Sequence, residues 1–225
     1  MITPELLMLM GASSTLAHKY APYLDQAATE FNITNPLDIA HWLAQIFQES
    51  GALRFVREIW DGKGAQARYD TRTDLGNTPQ IDGDGYHNRG VGLIQITGEY
   101  NIERTLAALG YPPNSNSNLE SPSGASRSAA FFWKDKKLSA IALASGTDVS
   151  RCTKHVNGGY THLKERQAYF DKAYPILKDS GQQVDRMDKN KDVLPHHDEI
   201  SRDVILQEPP SSEFVTTVNN RENYL

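Results

Sequence analysis

The sequence predicts a mainly α-helical protein, and three observations carry that prediction. Apolar residues recur at intervals of three and four over several segments, as they do along one face of a helix. Proline or a capping residue precedes several of these segments, and glycine follows some of them. Stretches rich in Gly, Asn, Ser and Pro lie between them and predict loops. We expect one domain over residues 1–180, followed by an extension over residues 181–225.

The first 51 residues predict three helices. Residues 1–35 contain two, and the second has an apolar face of Leu16, Tyr20, Tyr23, Leu24, Ala27 and Phe31. Pro36 restricts the residue before it and suits a helix start. The third helix follows, with Ile39, Trp42, Leu43, Ile46 and Phe47 on one apolar face. Gly51 favours its end, because glycine adopts the left-handed conformation easily.

The remainder alternates loops with shorter helices. Residues 52–80 predict a long surface loop with short strands, and a Gly-rich aromatic stretch at residues 82–92 leads into a short apolar run. Residues 99–109 predict a helix that Gly110 ends, and residues 111–123 a loop. One or two helices are expected over residues 124–144. Another helical segment over residues 146–178 is interrupted near Asn157.

Charge and composition exclude several functional classes. The formal net charge is −5, and residues 1–180 hold 18 Lys and Arg against 19 Asp and Glu, whereas residues 181–225 hold 5 against 9. A near-neutral domain argues against nucleic-acid binding, which usually needs a basic surface. Because no apolar run reaches roughly 20 residues, we expect no membrane insertion. The single cysteine, Cys152, excludes an internal disulfide and suits a reducing cytoplasm.

Two glutamates are the first candidates for chemistry. Glu49 stands at the end of the third helix, where the helix dipole disfavours an anion, which suits a carboxyl group that must carry a proton. Glu58 follows nine residues later, so an unbroken helix would turn about 900 degrees and place the two on opposite faces. They can converge only if Gly51 breaks the helix. A pair of carboxylates beside a cleft is the minimal equipment for hydrolysing a glycosidic bond.

Four motifs in order resemble glycoside hydrolase family 19, the chitinase-like enzymes, and the compact helical layout is most similar to their phage endolysin branch. They are Gln-Glu-Ser-Gly at residues 48–51, Asp-Gly-Asp-Gly-Tyr at residues 82–86, Asn-Arg-Gly-Val-Gly-Leu-Ile-Gln-Ile-Thr at residues 88–97 and Asn-Gly-Gly at residues 157–159. The chain departs from the family at Val91, where the motif usually repeats an arginine. The extension after Gly181 and the absence of the disulfides of plant chitinases are further departures.

The resemblance implies a lysozyme-like, two-lobed α-helical fold with a central substrate cleft. It assigns Glu49 as general acid and Glu58 as general base, with Thr97 holding the water nucleophile. Tyr86, Gln95 and Asn157 match positions that line the sugar sites, and Arg89 matches one that braces the acid. From the residues themselves, Gln95 and Asn157 suit an N-acetyl group, and Trp60 and Tyr86 suit sugar faces. Each of these residues, apart from the two glutamates, could also have a purely structural role.

Other signals are weaker. Residues 82–85 begin like a calcium loop but lack its later ligands. His196, His197, Asp198 and Glu199 could bind a metal, yet an exposed polar tail explains them better. Cys152 with His155 could suggest a thiol nucleophile, although a lone cysteine more often packs as a small apolar residue. We therefore expect neither a metal nor a cofactor.

The function that the sequence favours is hydrolysis of the β-1,4 bond between N-acetylmuramic acid and N-acetylglucosamine in peptidoglycan, with inversion. A chitinase, a cell-wall-targeting effector toxin of the same fold, and a catalytically silent wall-binding module remain alternatives. We expect a monomer made in the cytoplasm without a signal peptide, which reaches the periplasm or cell wall through a holin or a secretion system. The acidic extension is a candidate surface for an inhibitor or carrier protein.

Overall fold

The computed structural model describes residues 1–64 and 66–191, with side chains described as far as residue 181, and this part is mainly α-helical, as expected. Its helices are α1 (Pro4–Met10), α2 (Ser14–Glu30), α3 (Pro36–Glu49), α4 (Asp84–His87), α5 (Glu99–Leu109), α6 (Pro122–Asp135), α7 (Leu138–Ser145), α8 (Ser150–Asn157) and α9 (Leu163–Lys191), with 3₁₀ turns at Gln66–Arg68, Thr73–Leu75 and Asn116–Glu120. Helix α9 runs through residue 181, where the extension was expected to begin. Residues 192–225, with the His196–Glu199 group, lie outside the described residues.

The helix boundaries follow the local signals in the sequence. The Asn35 side chain accepts a hydrogen bond from the backbone N–H of Leu37 and caps α3, whose first residue is Pro36. Gly110 ends α5 in the left-handed conformation, with φ of 75°. None of the described helices is long and apolar enough to cross a membrane.

Helix α3 lies at the centre of the main lobe, which α1–α3 and α6–α9 form. Its long neighbour α9 runs antiparallel to it, because Arg166 meets Glu49 at one end and Gly181 lies against Pro36 at the other. The sequence predicted a single apolar face, but α3 is buried on all sides from Asp38 to Phe47. Burying each large apolar side chain, Trp42 and Phe47 among them, contributes about 1.5–3 kcal/mol.

A row of polar side chains runs along this buried helix at positions 38, 41 and 45. The Trp133 indole donates to Asp38 Oδ1 at 2.8 Å, and His41 Nε2 lies 2.8 Å from the carbonyl oxygen of Gly146. His41 Nδ1 is buried without a hydrogen-bond partner among the described residues. Burial therefore lowers the pKa of His41 below its usual value of 6.5, and the nearby carboxylates of Asp38 and Asp148 only partly offset that effect.

We expect acidification to destabilise the domain through His41. A neutral imidazole is favoured in the folded state, so its stabilising contribution is complete above pH 6.5 and is lost as the pH falls towards the lowered pKa. Burial raises the pKa of Asp38, so its contribution to stability changes with pH in the opposite direction. That contribution is present in the unmodified chain and in the His41→Gln variant alike. The free energy of unfolding should thus fall less between pH 6.5 and 5 in His41→Gln than in the unmodified chain. Exposed His155, changed to Gln, is the control, and equal slopes in all three proteins would contradict the assignment.

The second lobe consists of residues 52–121, where loops replace the close helix packing of the main lobe. Two antiparallel β-bridges, Arg57 with Val91 and Val91 with Ile96, join three segments of this lobe. The short strands expected over residues 52–80 do not form in the described part of the chain, where Arg57 alone from that range takes part in a bridge. Helix α5 packs on α6 of the main lobe, so the two lobes meet along that contact.

Candidate active site

Glu49, the last residue of α3, is bound by an arginine from the far end of the sequence. Arg166 on α9 is 1% exposed and donates from Nη2 to Glu49 Oε1 at 2.5 Å, whereas the Glu49 side chain is 20% exposed. Among the described residues Oε2 has no hydrogen-bond partner. The ion pair therefore fixes the carboxyl group through one oxygen and leaves the other without a partner among the described residues.

The same arginine extends the contact to a second polar residue of α3. Arg166 Nη1 donates to Gln45 Oε1 at 2.6 Å, and the Gln45 amide donates to the Thr153 hydroxyl on α8. Glu49 is therefore tied to α9 directly and to α8 through Gln45. Arg89 was expected to brace Glu49, but it donates to the carbonyl oxygens of Tyr86 and Glu58, and Arg166 is the arginine that binds Glu49.

The chain turns sharply immediately after Glu49. Gly51, Ala52 and Leu53 all have positive φ, at 58°, 59° and 68°, although a left-handed conformation costs a non-glycine residue about 1–2 kcal/mol. Ser50 stabilises the turn, because its hydroxyl donates to the Ile46 carbonyl and accepts from the Leu53 N–H. The helix thus breaks at the position that the sequence predicted, which removes the geometric objection to Glu58.

Glu58 is held by hydrogen bonds to both carboxylate oxygens. Oε2 accepts from the backbone N–H of Gly90 at 3.0 Å, and Oε1 accepts from the Gln66 amide at 2.8 Å. The hydroxyl of Tyr69 lies 3.5 Å from Oε1. Burial and then the charge of Glu58 raise the pKa of Tyr69, so the phenol remains a neutral donor at neutral pH. A β-carbon at Gly90 would lie 3.3 Å from the Glu58 β-carbon and 2.6 Å from Gln95 Oε1, so the close approach favours glycine there.

A cavity of about 430 Å³ lies between the lobes. Three of the predicted site residues line it, namely Gln95, Thr97 and Asn157. Gln95 has φ of 58°, and its amide donates to the Gly92 carbonyl at 3.0 Å, while the Thr97 hydroxyl donates to the Gln95 carbonyl. Apolar and charged side chains complete the lining, namely Leu75, Ile94, Ile96, Phe131, Phe132, Val156, Arg72, Arg104, Asp135 and Lys136.

Tyr69 connects this cavity to Glu58 and to the remaining predicted residues. It lines the cavity, and its ring meets the edge of Trp60 at 5.9 Å between centroids. Trp60 in turn contacts Tyr86 at 5.7 Å, and Tyr86 is 52% exposed. The Arg89 guanidinium stacks 4.0 Å above the Tyr86 ring and donates to the carbonyl oxygens of Tyr86 and Glu58. These four side chains form one aromatic group beside Glu58, in which Tyr86 is exposed and the other three are half-buried.

The structure thus places the predicted residues in three groups. Their catalytic and binding roles remain predictions. Glu49 belongs to the α3–α9 network, Gln95, Thr97 and Asn157 to the cavity, and Glu58 to the aromatic group.

Sequence reasoning missed Arg166, Gln66, Tyr69 and Gln45. Arg166 had a readable signal, because it lies on the same stripe of α9 as buried Phe170, Ala173 and Leu177, and a charge in an apolar stripe requires a partner. Gln66 and Tyr69 lie in a loop where no periodicity indicates which side chains point inward.

The weaker candidates do not form sites in the described residues. Cys152 is fully buried, and burial raises its pKa to about 12, which leaves it an unreactive thiol at neutral pH. The carboxylates of Asp82 and Asp84 accept hydrogen bonds within their own turn. Over residues 1–64 and 66–181, no group of three or more His, Cys, Asp and Glu side chains is arranged to hold a metal ion.

Comparison with known sequences finds similarity over part of the chain. No family model matches the chain. A Haemophilus influenzae protein described as a glycosyl hydrolase family 19 domain-containing protein is 34% identical over 95 residues. That alignment covers 41% of this chain and 44% of the H. influenzae protein, so the chain matches less than half the length of this relative.

Comparison with solved structures extends the similarity of fold. Chitinase C from Streptomyces griseus superposes with a TM-score of 0.59 at 18% identity, over 79% of this chain and 76% of the enzyme. A bacterial family 19 chitinase gives a TM-score of 0.60 at 16% identity, over 78% and 94%. These identities establish the fold alone, and they confirm the expected lysozyme-like α-helical class. The chain is thus similar to the chitinase-like proteins of glycoside hydrolase family 19, in sequence over 95 residues and in fold over nearly four fifths of its length.

Proposed function

We propose that this chain is a glycoside hydrolase that cleaves the β-1,4 bond between N-acetylmuramic acid and N-acetylglucosamine in peptidoglycan. The observation that carries the proposal is the pair of held carboxyl groups. Arg166 binds Glu49 through Oε1 only, and Glu58 is fixed at both oxygens beside Tyr69, which lines the cavity between the lobes. The similarity to a family 19 protein supports the same class of reaction.

In the proposed mechanism Glu49 is the general acid. Its unpaired Oε2 carries the proton and donates it to the glycosidic oxygen, so the leaving sugar departs as a neutral alcohol. Arg166 remains on Oε1 and stabilises the carboxylate that this transfer leaves behind.

Glu58 is the general base of the same mechanism. A carboxylate has about four lone-pair sites, and Gly90, Gln66 and Tyr69 occupy three of them. The remaining site accepts a proton from water as the water oxygen attacks the anomeric carbon from the opposite face, which inverts the configuration. Thr97 in the cavity holds that water through a free lone pair of its hydroxyl group.

The residues of the cavity and of the aromatic group would recognise the substrate. The amides of Gln95 and Asn157 offer donors and acceptors to an N-acetyl group, and Ile94 and Ile96 provide apolar contacts for its methyl. Trp60 and half-exposed Tyr86 offer ring surfaces to the sugars beyond the cleaved bond.

A chitinase is the second candidate, because the two solved structures described above are named as chitinases. It would use the same two glutamates on a polymer of N-acetylglucosamine alone. We also propose that the chain acts at the cell wall after delivery by a holin or a secretion system, as an endolysin or effector toxin. Lysis that depends on export would support that route.

Mass spectrometry of the products separates the candidates. Digestion of purified peptidoglycan should release muropeptides with N-acetylmuramic acid at the new reducing end, and Glu58→Gln should lower the rate about 10²–10⁴-fold. Release of N-acetylglucosamine oligomers from chitin, with peptidoglycan untouched, would favour the chitinase instead. If the folded protein binds either polymer and produces no new reducing ends, the hydrolase proposal is wrong.

A further inference from the structure

Gln66 uses every hydrogen-bonding group of its side chain on the segment that carries Glu58. Its amide nitrogen donates to Glu58 Oε1 and to the Ile59 carbonyl, both at 2.8 Å. Its amide oxygen accepts from the backbone N–H groups of Asp61 and Gly62, at 3.0 and 3.3 Å. One side chain therefore fixes the carboxyl group of Glu58 and three backbone groups between residues 59 and 62.

These contacts fix the position of Glu58 relative to the aromatic group. Trp60 lies inside the segment that Gln66 holds, between Ile59 and Asp61, and Tyr69 follows three residues after Gln66 at the end of the same turn. The backbone N–H of Gly90 holds the other oxygen of Glu58. Loss of the Gln66 contacts would free the carboxyl group on the side that faces Tyr69 and would loosen the loop beneath Trp60.

We propose that Gln66 is a positioning residue, which orients the Glu58 carboxylate and holds Trp60 for the substrate. This inference rests on the proposed function of Glu58 as general base. A glutamine suits that position because its two N–H groups donate to the carboxylate and to a carbonyl, whereas a carboxylate there would repel Glu58.

The sharpest test is Gln66→Glu, which keeps the size of the side chain and replaces the donor group by a second carboxyl. The two carboxyl groups then compete for one proton, so the Glu58 carboxyl should titrate about one pH unit higher or more. The carboxyl chemical shift of Glu58, followed by NMR across pH, reports this directly and needs no turnover. In the activity assay the acidic limb of the pH–rate profile should move upward by the same amount.

The chain contains a matched control in Gln167. Its amide donates to Asp171 Oδ1 at 2.8 Å and to the Thr147 carbonyl at 2.9 Å, and its oxygen accepts from the Val149 N–H. Gln167→Glu therefore introduces the same repulsion on the opposite lobe and should leave the titration of Glu58 and the pH–rate profile unchanged.

A second variant separates positioning from charge. Gln66→Met removes the donors without adding a charge, so it should lower kcat about 10–100-fold and move the acidic limb upward by less than Gln66→Glu does. An unchanged titration of Glu58 in Gln66→Glu, or a kcat in Gln66→Met within twofold of the unmodified chain, would overturn the inference. Failure of the proposed function would look different, because Glu58→Gln would keep full activity or the unmodified chain would show none. The NMR titration would still test the contact between Gln66 and Glu58 in that case.

Discussion

Glu49→Gln should lower turnover about 10³-fold or more while the chain remains folded. An amide of the same shape keeps an acceptor for Arg166 but has no proton to give to the leaving oxygen, and general acid catalysis is typically worth 10²–10⁴-fold. Reducing-end release from peptidoglycan measures the rate, and circular dichroism checks the fold.

Glu30 provides the control for this substitution. It also ends a helix, α2, and its carboxylate forms an ion pair with Arg127 at 2.7 Å. Glu30→Gln therefore removes a similar charge from a similar place, and we expect wild-type turnover. A folded Glu49→Gln protein that digests cell walls at the wild-type rate would eliminate Glu49 as the acid.

Replacing Arg166 by Met should destabilise the domain by about 3–5 kcal/mol. Arg166 is almost fully buried, and its loss leaves the partly buried charge of Glu49 and the oxygen of Gln45 without their donor. Methionine fills most of the same volume, so the loss of partners rather than an empty cavity dominates the effect. Urea unfolding measures the change.

Arg127→Met is the matched substitution at the more exposed pair with Glu30. Because water can solvate the remaining Glu30 carboxylate there, we expect a loss of about 1 kcal/mol or less. Equal losses for the two variants would mean that the Arg166 network contributes no more than a surface ion pair. In addition, Arg166→Met should lower the turnover rate, whereas Arg127→Met should not.

Local signals explain why most of the helices were predictable. Pro36 after a capping Asn35, Gly51 after α3 and Gly110 after α5 each act within a few residues, and the structure uses all three as expected. The central position of α3 was not predictable in the same way. Its apolar side chains suggested one face, but residues 38, 41 and 45 are buried too, and their partners come from α6, α8, α9 and Gly146, which follows α7.

Most of the candidate site residues were predictable because they stand in short sequence motifs. Glu49 and residues 86–97 stand in such motifs, whereas Glu58 is the first carboxylate after the break at Gly51. The structure places most of these residues around the cavity or the aromatic group. Arg166 was not predictable in this way, because 117 positions separate it from Glu49 and only the packing of α9 on α3 brings them together. Gln66 escaped for another reason, since its four contacts depend on the path of an irregular loop.

The central burial of α3 has a consequence for how the two candidate catalytic groups move. Amides in a helix enclosed on all sides exchange with solvent only when the whole domain opens, whereas amides in a loop exchange through small local openings. Glu49 is the last residue of the enclosed helix α3. Glu58 lies in a loop, where hydrogen bonds from the Gln66 side chain and the Gly90 backbone hold it. Hydrogen exchange should therefore divide the candidate site into a slow half that carries Glu49 and a fast half that carries Glu58.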